Sequence, residues 1–126
     1  MNTVEEKITE AELEVMEVLW DAGEPCTLGH IKEALSEKNG DTTKTLLRRL
    51  CAKGAVGQEK RQVYWYTPLV SREEYQRSEG RSMLKKLYDD SLSRFAAALY
   101  DEGPVDQQEI AQLQALLEEL KGGPRE

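Results

Sequence analysis

Apolar residues recur at helical spacing through the first fifty positions of the chain. Thr9-Glu10-Ala11-Glu12 has the form of a capping box, with Ile8 and Leu13 placed as a hydrophobic staple around it, and Leu13, Met16, Leu19 and Trp20 then form a single stripe. Gly23 and Pro25 break that pattern. Thr27 is placed to cap a short second helix carrying Leu28, Ile31 and Leu35, which Asn39-Gly40 ends in a turn. Asp41 or Thr42 is expected to cap a third helix running to about Lys53, with Gly54 as the residue just past its end.

After Gly54 the period changes from helical to extended. Ala55 to Lys60 is short and polar, whereas Val63-Tyr64-Trp65-Tyr66-Thr67 is β-branched and aromatic, so the two read as a hairpin with its tip near Lys60 to Gln62. Pro68 closes it, because proline has no amide with which to extend a ladder. Three helices followed by a hairpin describe a winged helix-turn-helix. Ser71-Arg72-Glu73-Glu74 is a second capping box and opens a long helix to about Asp90 with Tyr75, Met83, Leu84, Leu87 and Tyr88. A further helical stretch carries Leu92, Phe95 and Leu99 before Gly103-Pro104 interrupts it. Asp106-Gln107-Gln108-Glu109 caps the last helix, with Val105 and Ile110 as its staple, and Ile110, Leu113, Leu117 and Leu120 follow at a and d spacing. The expected fold class is therefore mainly α with a small β-hairpin wing. Residues 1–69 form the winged-helix domain, 70–122 a helical dimerisation region, and 123–126 a flexible tail.

On a wheel of the third helix, Thr43, Leu46, Leu47 and Leu50 gather on one side, Lys44, Thr45, Arg48 and Ala52 lie opposite, and Thr42 and Arg49 flank them. Taken alone, a basic and hydroxyl-rich face is as well explained by solvent as by a ligand. Charge distribution favours the ligand. The 126-residue chain has a net charge of −7, which argues against a nucleic-acid partner until it is divided. Residues 1–26 carry one Lys and eight acids, whereas residues 41–66 carry six Lys/Arg and two acids, a net +4. The basic patch is thus confined to one segment, and that segment follows a helix, a turn and a short helix, where a recognition helix belongs. Arg and Lys donate to guanine edges or phosphates and Thr can meet a thymine methyl, so Thr42, Lys44, Thr45, Arg48 and Arg49 are candidate DNA contacts. Lys60 and Arg61 at the hairpin tip are placed to reach the adjacent backbone.

Other chemistry is thinly supported. Cys26 and His30 stand four apart but have no third ligand, and the two cysteines form no C-x-x-C, so neither a metal site nor a disulfide framework is expected and a reducing cytoplasm fits. Cys51 reads as a small half-buried packing residue rather than a redox switch. Among Tyr64, Trp65 and Tyr66, alternation makes at least one a core residue, and Trp65 or a neighbour is expected under the wing. With one histidine, no G-x-S-x-G, no P-loop and no G-x-G-x-x-G, the chain is not expected to be an enzyme or to hold a cofactor. No signal peptide and no membrane span is read. The helices after residue 70 have little to pack on except each other or a second subunit, which places Leu84, Leu87, Tyr88, Phe95, Ile110, Leu113 and Leu117 at a homodimer interface. The competing reading is a winged helix used as a protein-interaction module, which the overall acidic balance permits.

The chain resembles the penicillinase-repressor family of the BlaI/MecI/CopY type. The resemblance is carried by Ile8-Thr9-Glu10-Ala11-Glu12 with Val15-Met16 and Leu19-Trp20-Asp21, by Thr42-Thr43-Lys44-Thr45-Leu46-Leu47-Arg48-Arg49-Leu50 with Lys53-Gly54, and by Tyr64-Trp65-Tyr66. It implies a homodimeric repressor that binds double-stranded DNA at palindromic, dyad-symmetric operators, with Thr42, Lys44, Thr45 and Arg49 as the foremost contacts. Relatives induced by β-lactam signalling are similar in being cut at an Asn-Phe pair in the C-terminal helices; this chain has Ala98-Leu99 there, and its one phenylalanine follows Arg94. An inducing protease or sensor is therefore not identified by that site. The paired C-x-C motifs of copper-responsive relatives are replaced by Lys121-Gly122-Gly123-Pro124-Arg125-Glu126.

Overall fold

The computed structural model describes residues 7–104 and 106–122, so the expected staple at Val105 and the tail 123–126 lie outside the described residues. The helices are α1 (Glu10–Ala22), α2 (Leu28–Ala34), α3 (Gly40–Ala52), α4 (Arg72–Tyr88), α5 (Leu92–Glu102) and α6 (Gln107–Lys121). The strands are β1 (Cys26–Thr27), β2 (Val56–Lys60) and β3 (Tyr64–Pro68). The chain divides into two compact units, the second beginning at Glu79 inside α4.

Local chemistry starts the helices of the first unit where the motifs put them. Thr9 Oγ1 accepts the Glu12 amide at 3.2 Å while Glu12 Oε1 accepts the Thr9 amide at 2.9 Å, a complete capping box, and Gly23 ends α1 at a φ of 68°. Thr27 caps α2 through the His30 amide, and Ser71 and Glu74 form the second box at the start of α4. The cap of α3 differs from expectation. Asn39, not Asp41 or Thr42, is the cap: its Oδ1 accepts the Asp41 amide at 2.8 Å, and Gly40 and Asp41 form the first turn. An asparagine fits the cap because its short amide reaches an orphan N–H, so the turn and the cap are one residue rather than two successive devices. At the other end Gly54 has a φ of 80°, the left-handed conformation that lets the chain leave α3 directly into β2.

The hairpin is part of a three-stranded antiparallel sheet in the order β1-β3-β2. Strand β1 was not foreseen: two residues carry no readable alternation, and Cys26–Thr27 is extended only because the free edge of β3 pairs with it. Cys26, Tyr66 and Gln58 stand in one row across the sheet, and Thr27, Trp65 and Glu59 in the next. Successive rows face opposite sides. Tyr66 therefore turns into the core, 8% exposed, while Trp65 is half-buried on the other face under the Arg61 guanidinium, 5.9 Å from its ring.

The core of this unit joins Ile8, Val15, Met16 and Leu19 with Ile31, Leu46, Leu47 and Leu50, closed below by Ala55, Val56, Tyr66 and Val70. Trp20 lies at its margin, where Nε1 donates to the Val70 carbonyl at 2.9 Å and the ring meets Tyr75 at 5.9 Å. Arg72 stacks over the same ring and bridges Glu17 and Asp21, which fastens the first turn of α4 to α1.

In the second unit α4 passes to α5 through Asp89 and Asp90, both at positive φ, with the Tyr88 and Phe95 rings 5.3 Å apart. Ser91 caps α5 and Asp106 caps α6 through the Gln108 amide. None of the described side chains on α5 or α6 is buried, and Leu87 is 69% exposed.

Candidate nucleic-acid interface

Helix α3 separates its faces as the wheel requires. Thr43, Leu46, Leu47 and Leu50 are buried, while Thr42, Lys44, Arg48, Arg49 and Ala52 are exposed and Thr45 is half-buried. Burial of the three leucines sets which way the helix rolls: turning it would expose side chains each worth about 2 kcal/mol of transfer energy. The basic side chains thus stand outward because the apolar ones cannot.

Not every cation of the basic segment is available. Lys53 turns inward to Glu12, its side chain 12% exposed. Arg61 divides between Glu59 at 3.1 Å and the face of Trp65. Lys44, Arg48 and Arg49 make no ion pair among the described residues, and Lys60 meets only the Tyr64 ring, 5.3 Å from its centroid. Four unneutralised cations on one helix face and one wing tip are a phosphate-attracting surface. Asp41, the one acid on α3, sits in its first turn. Thr45 has its hydroxyl proton engaged, donating to the Asp41 carbonyl at 3.0 Å, so it offers a methyl group and an acceptor rather than a donor.

The remaining candidates fall elsewhere. Cys26 is buried in β1 and donates to the Glu24 carbonyl, so it does not share a helix face with His30, and no cluster of three metal-ligating side chains occurs among the described residues. Burial pushes the Cys51 thiol above its ordinary range, and Sγ lies 3.6 Å from Gln58 Oε1, bridging α3 to β2. That is the packing role expected of it. In the second unit Leu87, Leu113 and Leu117 are exposed, and Leu84, Tyr88, Phe95 and Ile110 are half-buried.

Sequence reading missed the ion pairs that link α1 to the residues flanking α3. Glu12 looked like a cap and Lys53 like one more surface cation, yet they form an ion pair across 41 residues. Lys38, in the turn before α3, pairs with Glu14. Capping position marked Glu12, but nothing local signalled its burial.

Comparison with known proteins gives a consistent picture. The pattern of the family described as penicillinase repressor matches residues 8–119. The chain is similar to the penicillinase repressor of Bacillus licheniformis, with 32% identity over 123 residues that span 95% of this chain and 96% of that one. It is similar, at 32% over 114 residues, to an uncharacterized 16.5 kDa protein in the ptsI 3′ region of Latilactobacillus sakei, spanning 88% of this chain and 78% of that one. Among solved structures it is similar to the DNA binding domain of the repressor BlaI, with a TM-score of 0.51 and 33% identity over 60% of this chain and 94% of that one. The monomeric form of Bacillus licheniformis BlaI in complex with the blaP half-operator is similar to the same extent, with a TM-score of 0.50, 33% identity and the same coverage.

Proposed function

We propose, from the premise that this chain belongs to the penicillinase repressor family, that it is a DNA-binding transcriptional repressor that works as a homodimer on a dyad-symmetric operator. It is not an enzyme; its family acts by occupying DNA. The observation that carries the proposal is the outward face of α3, where Lys44, Arg48 and Arg49 make no ion pair among the described residues and stand beside Thr42 and Thr45. In this reading α3 enters the major groove, Arg49 and Lys44 donate to base edges or phosphates, Thr42 and Thr45 supply methyl and acceptor contacts, and Lys60 and Arg61 on the wing hold the flanking backbone.

The reading head then comprises residues 1–69 together with the start of α4 that packs on it through Val70, Arg72 and Tyr75, and the dimerisation region the remainder of 70–122. The apolar side chains of the second unit support this: Leu113 and Leu117 on α6 are 43% and 44% exposed in one chain and are burial sites in search of a partner. Two heads on one dimer match two half-sites about one helical turn apart. A DNA-binding repressor of this family acts in the cytoplasm, where its two cysteines stay free thiols; among the described residues no helix is long and apolar enough to cross a membrane.

The test is selection from a pool of random duplexes followed by anisotropy titration of the winner. Recovery of an inverted repeat, bound with a steep salt dependence, is the expected result. Failure to enrich any sequence, with no retention of DNA at physiological salt, refutes the proposal and leaves a protein-interaction module. In parallel, Leu113→Asp and Leu117→Asp should sediment as monomers while the native chain sediments as a dimer.

A further inference from the structure

Apolar packing decides which face of α3 is inward but is non-directional, so it does not by itself fix how far the helix slides along α1 or its last few degrees of rotation. The structure adds a directional restraint. Lys53, the C-cap residue of α3, places Nζ on Glu12 Oε1 and donates to the Lys7 carbonyl at 2.8 Å. The Glu12 side chain is 1% exposed; Oε1 also accepts the Thr9 amide, and Oε2 has no hydrogen-bond partner among the described residues. Lys53 is the one counter-charge this deep carboxylate meets among the described residues, so the pair is held far more firmly than an exposed one. In the turn that leads into α3, Lys38 reaches Glu14, two residues beyond Glu12 on α1, so the chain is tied to α1 on both sides of the reading helix, one tie buried and one exposed.

We propose that the Glu12–Lys53 pair is a positioning device for DNA reading: it sets the axial seat of α3, and with it the points at which Lys44, Thr45, Arg48 and Arg49 meet the groove, while Lys53 itself touches no DNA. The inference rests on the DNA-binding reading above and departs from the count of basic residues, which would make Lys53 one more phosphate contact. Base readout needs donors and acceptors in register, whereas phosphate attraction tolerates displacement. Loss of the pair therefore damages specific binding and spares non-specific binding.

The experiment measures full-length native protein and the variants Lys53→Met, Glu12→Gln and Glu12→Gln/Lys53→Met, each at a temperature where circular dichroism shows it folded. The probes are the duplex that the native protein selects from a random pool and a scrambled duplex of the same length, titrated over a salt series. Lys53→Met is expected to bind the selected duplex about tenfold more weakly, the weight of one well-made base contact. Its slope of log affinity against log salt should match the native one, and its affinity for the scrambled duplex should not change. Glu12→Gln should show the same selective loss, and the double variant no more than either single one, because the two residues act as a unit. Should Lys53→Met fail to fold, the double variant, which leaves no charge in the pocket, carries the same measurement. A salt slope reduced by about 1 together with weaker binding to both duplexes would make Lys53 a phosphate contact and overturn the proposal. Native-like affinity for the selected duplex in the folded variants, with only a lower melting temperature, would overturn it equally. Failure of the native protein to select any duplex sinks the DNA-binding reading itself, and is seen before any variant is compared.

Discussion

Thr43 sits in the middle of the family-like run on α3, between two residues assigned to DNA, yet it faces the core. It is fully buried and its Oγ1 has no hydrogen-bond partner among the described residues. A buried hydroxyl left unpaired costs about 1–3 kcal/mol in desolvation. Thr43→Val removes the hydroxyl, keeps the β-branched shape, and changes helix propensity by only about a tenth of a kcal/mol or so. The variant should therefore be more stable by about 1 kcal/mol. For a folding unit of roughly 60–100 residues that corresponds to a rise of about 4–8 °C in the melting midpoint. The assay is thermal and urea unfolding of native and variant chains at one protein concentration, since any association makes the midpoint concentration-dependent. Operator affinity at a temperature where both are folded should be unchanged, in contrast to Thr42→Val on the outer face. A lower midpoint for Thr43→Val would mean that the hydroxyl is satisfied in the folded protein, and the predicted gain would be wrong.

Lys44→Ala and Arg49→Ala should each weaken binding to the selected duplex and lower the salt slope by about 1 without shifting the melting midpoint, since neither side chain has an ion-pair partner among the described residues; unchanged binding in both would remove them from the interface. Burial pushes the Glu12 carboxyl upward, but Lys53 and the bonds from Thr9 outweigh it and leave the group below its ordinary range. A depressed carboxylate contributes stability that is present above the ordinary range and lost as pH falls through its folded value, so acid unfolding of the native chain should be steeper than that of Glu12→Gln; parallel curves would count against the pair. Trp20→Phe removes the donor to the Val70 carbonyl and should cost about 1 kcal/mol in urea unfolding. Leu50→Ala, at a fully buried position of α3, should cost about 2–5 kcal/mol and, where folded, leave the salt slope of DNA binding unaltered.

Features that lie within a turn or two of chain are legible before any fold is known. The boxes at Thr9 and Ser71 join residues three apart, and the roll of α3 follows from Leu46, Leu47 and Leu50 recurring at the helical period, so both were legible without a fold. The outward face of Lys44, Arg48 and Arg49 was legible for the same reason. The cap of α3 is not legible in the same way: Asn39, Asp41 and Thr42 are all competent caps, and only the path of the chain chooses Asn39 among them.

Tertiary structure decided the rest. Strand β1 exists because β3 has an edge to offer it, and Tyr66 rather than Trp65 is the buried aromatic because register, not residue type, assigns the faces. Glu12 and Lys53 meet across 41 residues, and Arg72 reaches Asp21 and Glu17 across 51 and 55. A charged residue has the same local pattern whether it faces water, phosphate or a buried carboxylate. Which of these it meets is settled by packing between segments distant in sequence, and that is why the basic stretch could be read as an outward patch while the lysine that turns in to Glu12 could not be told from the cations that stay outside.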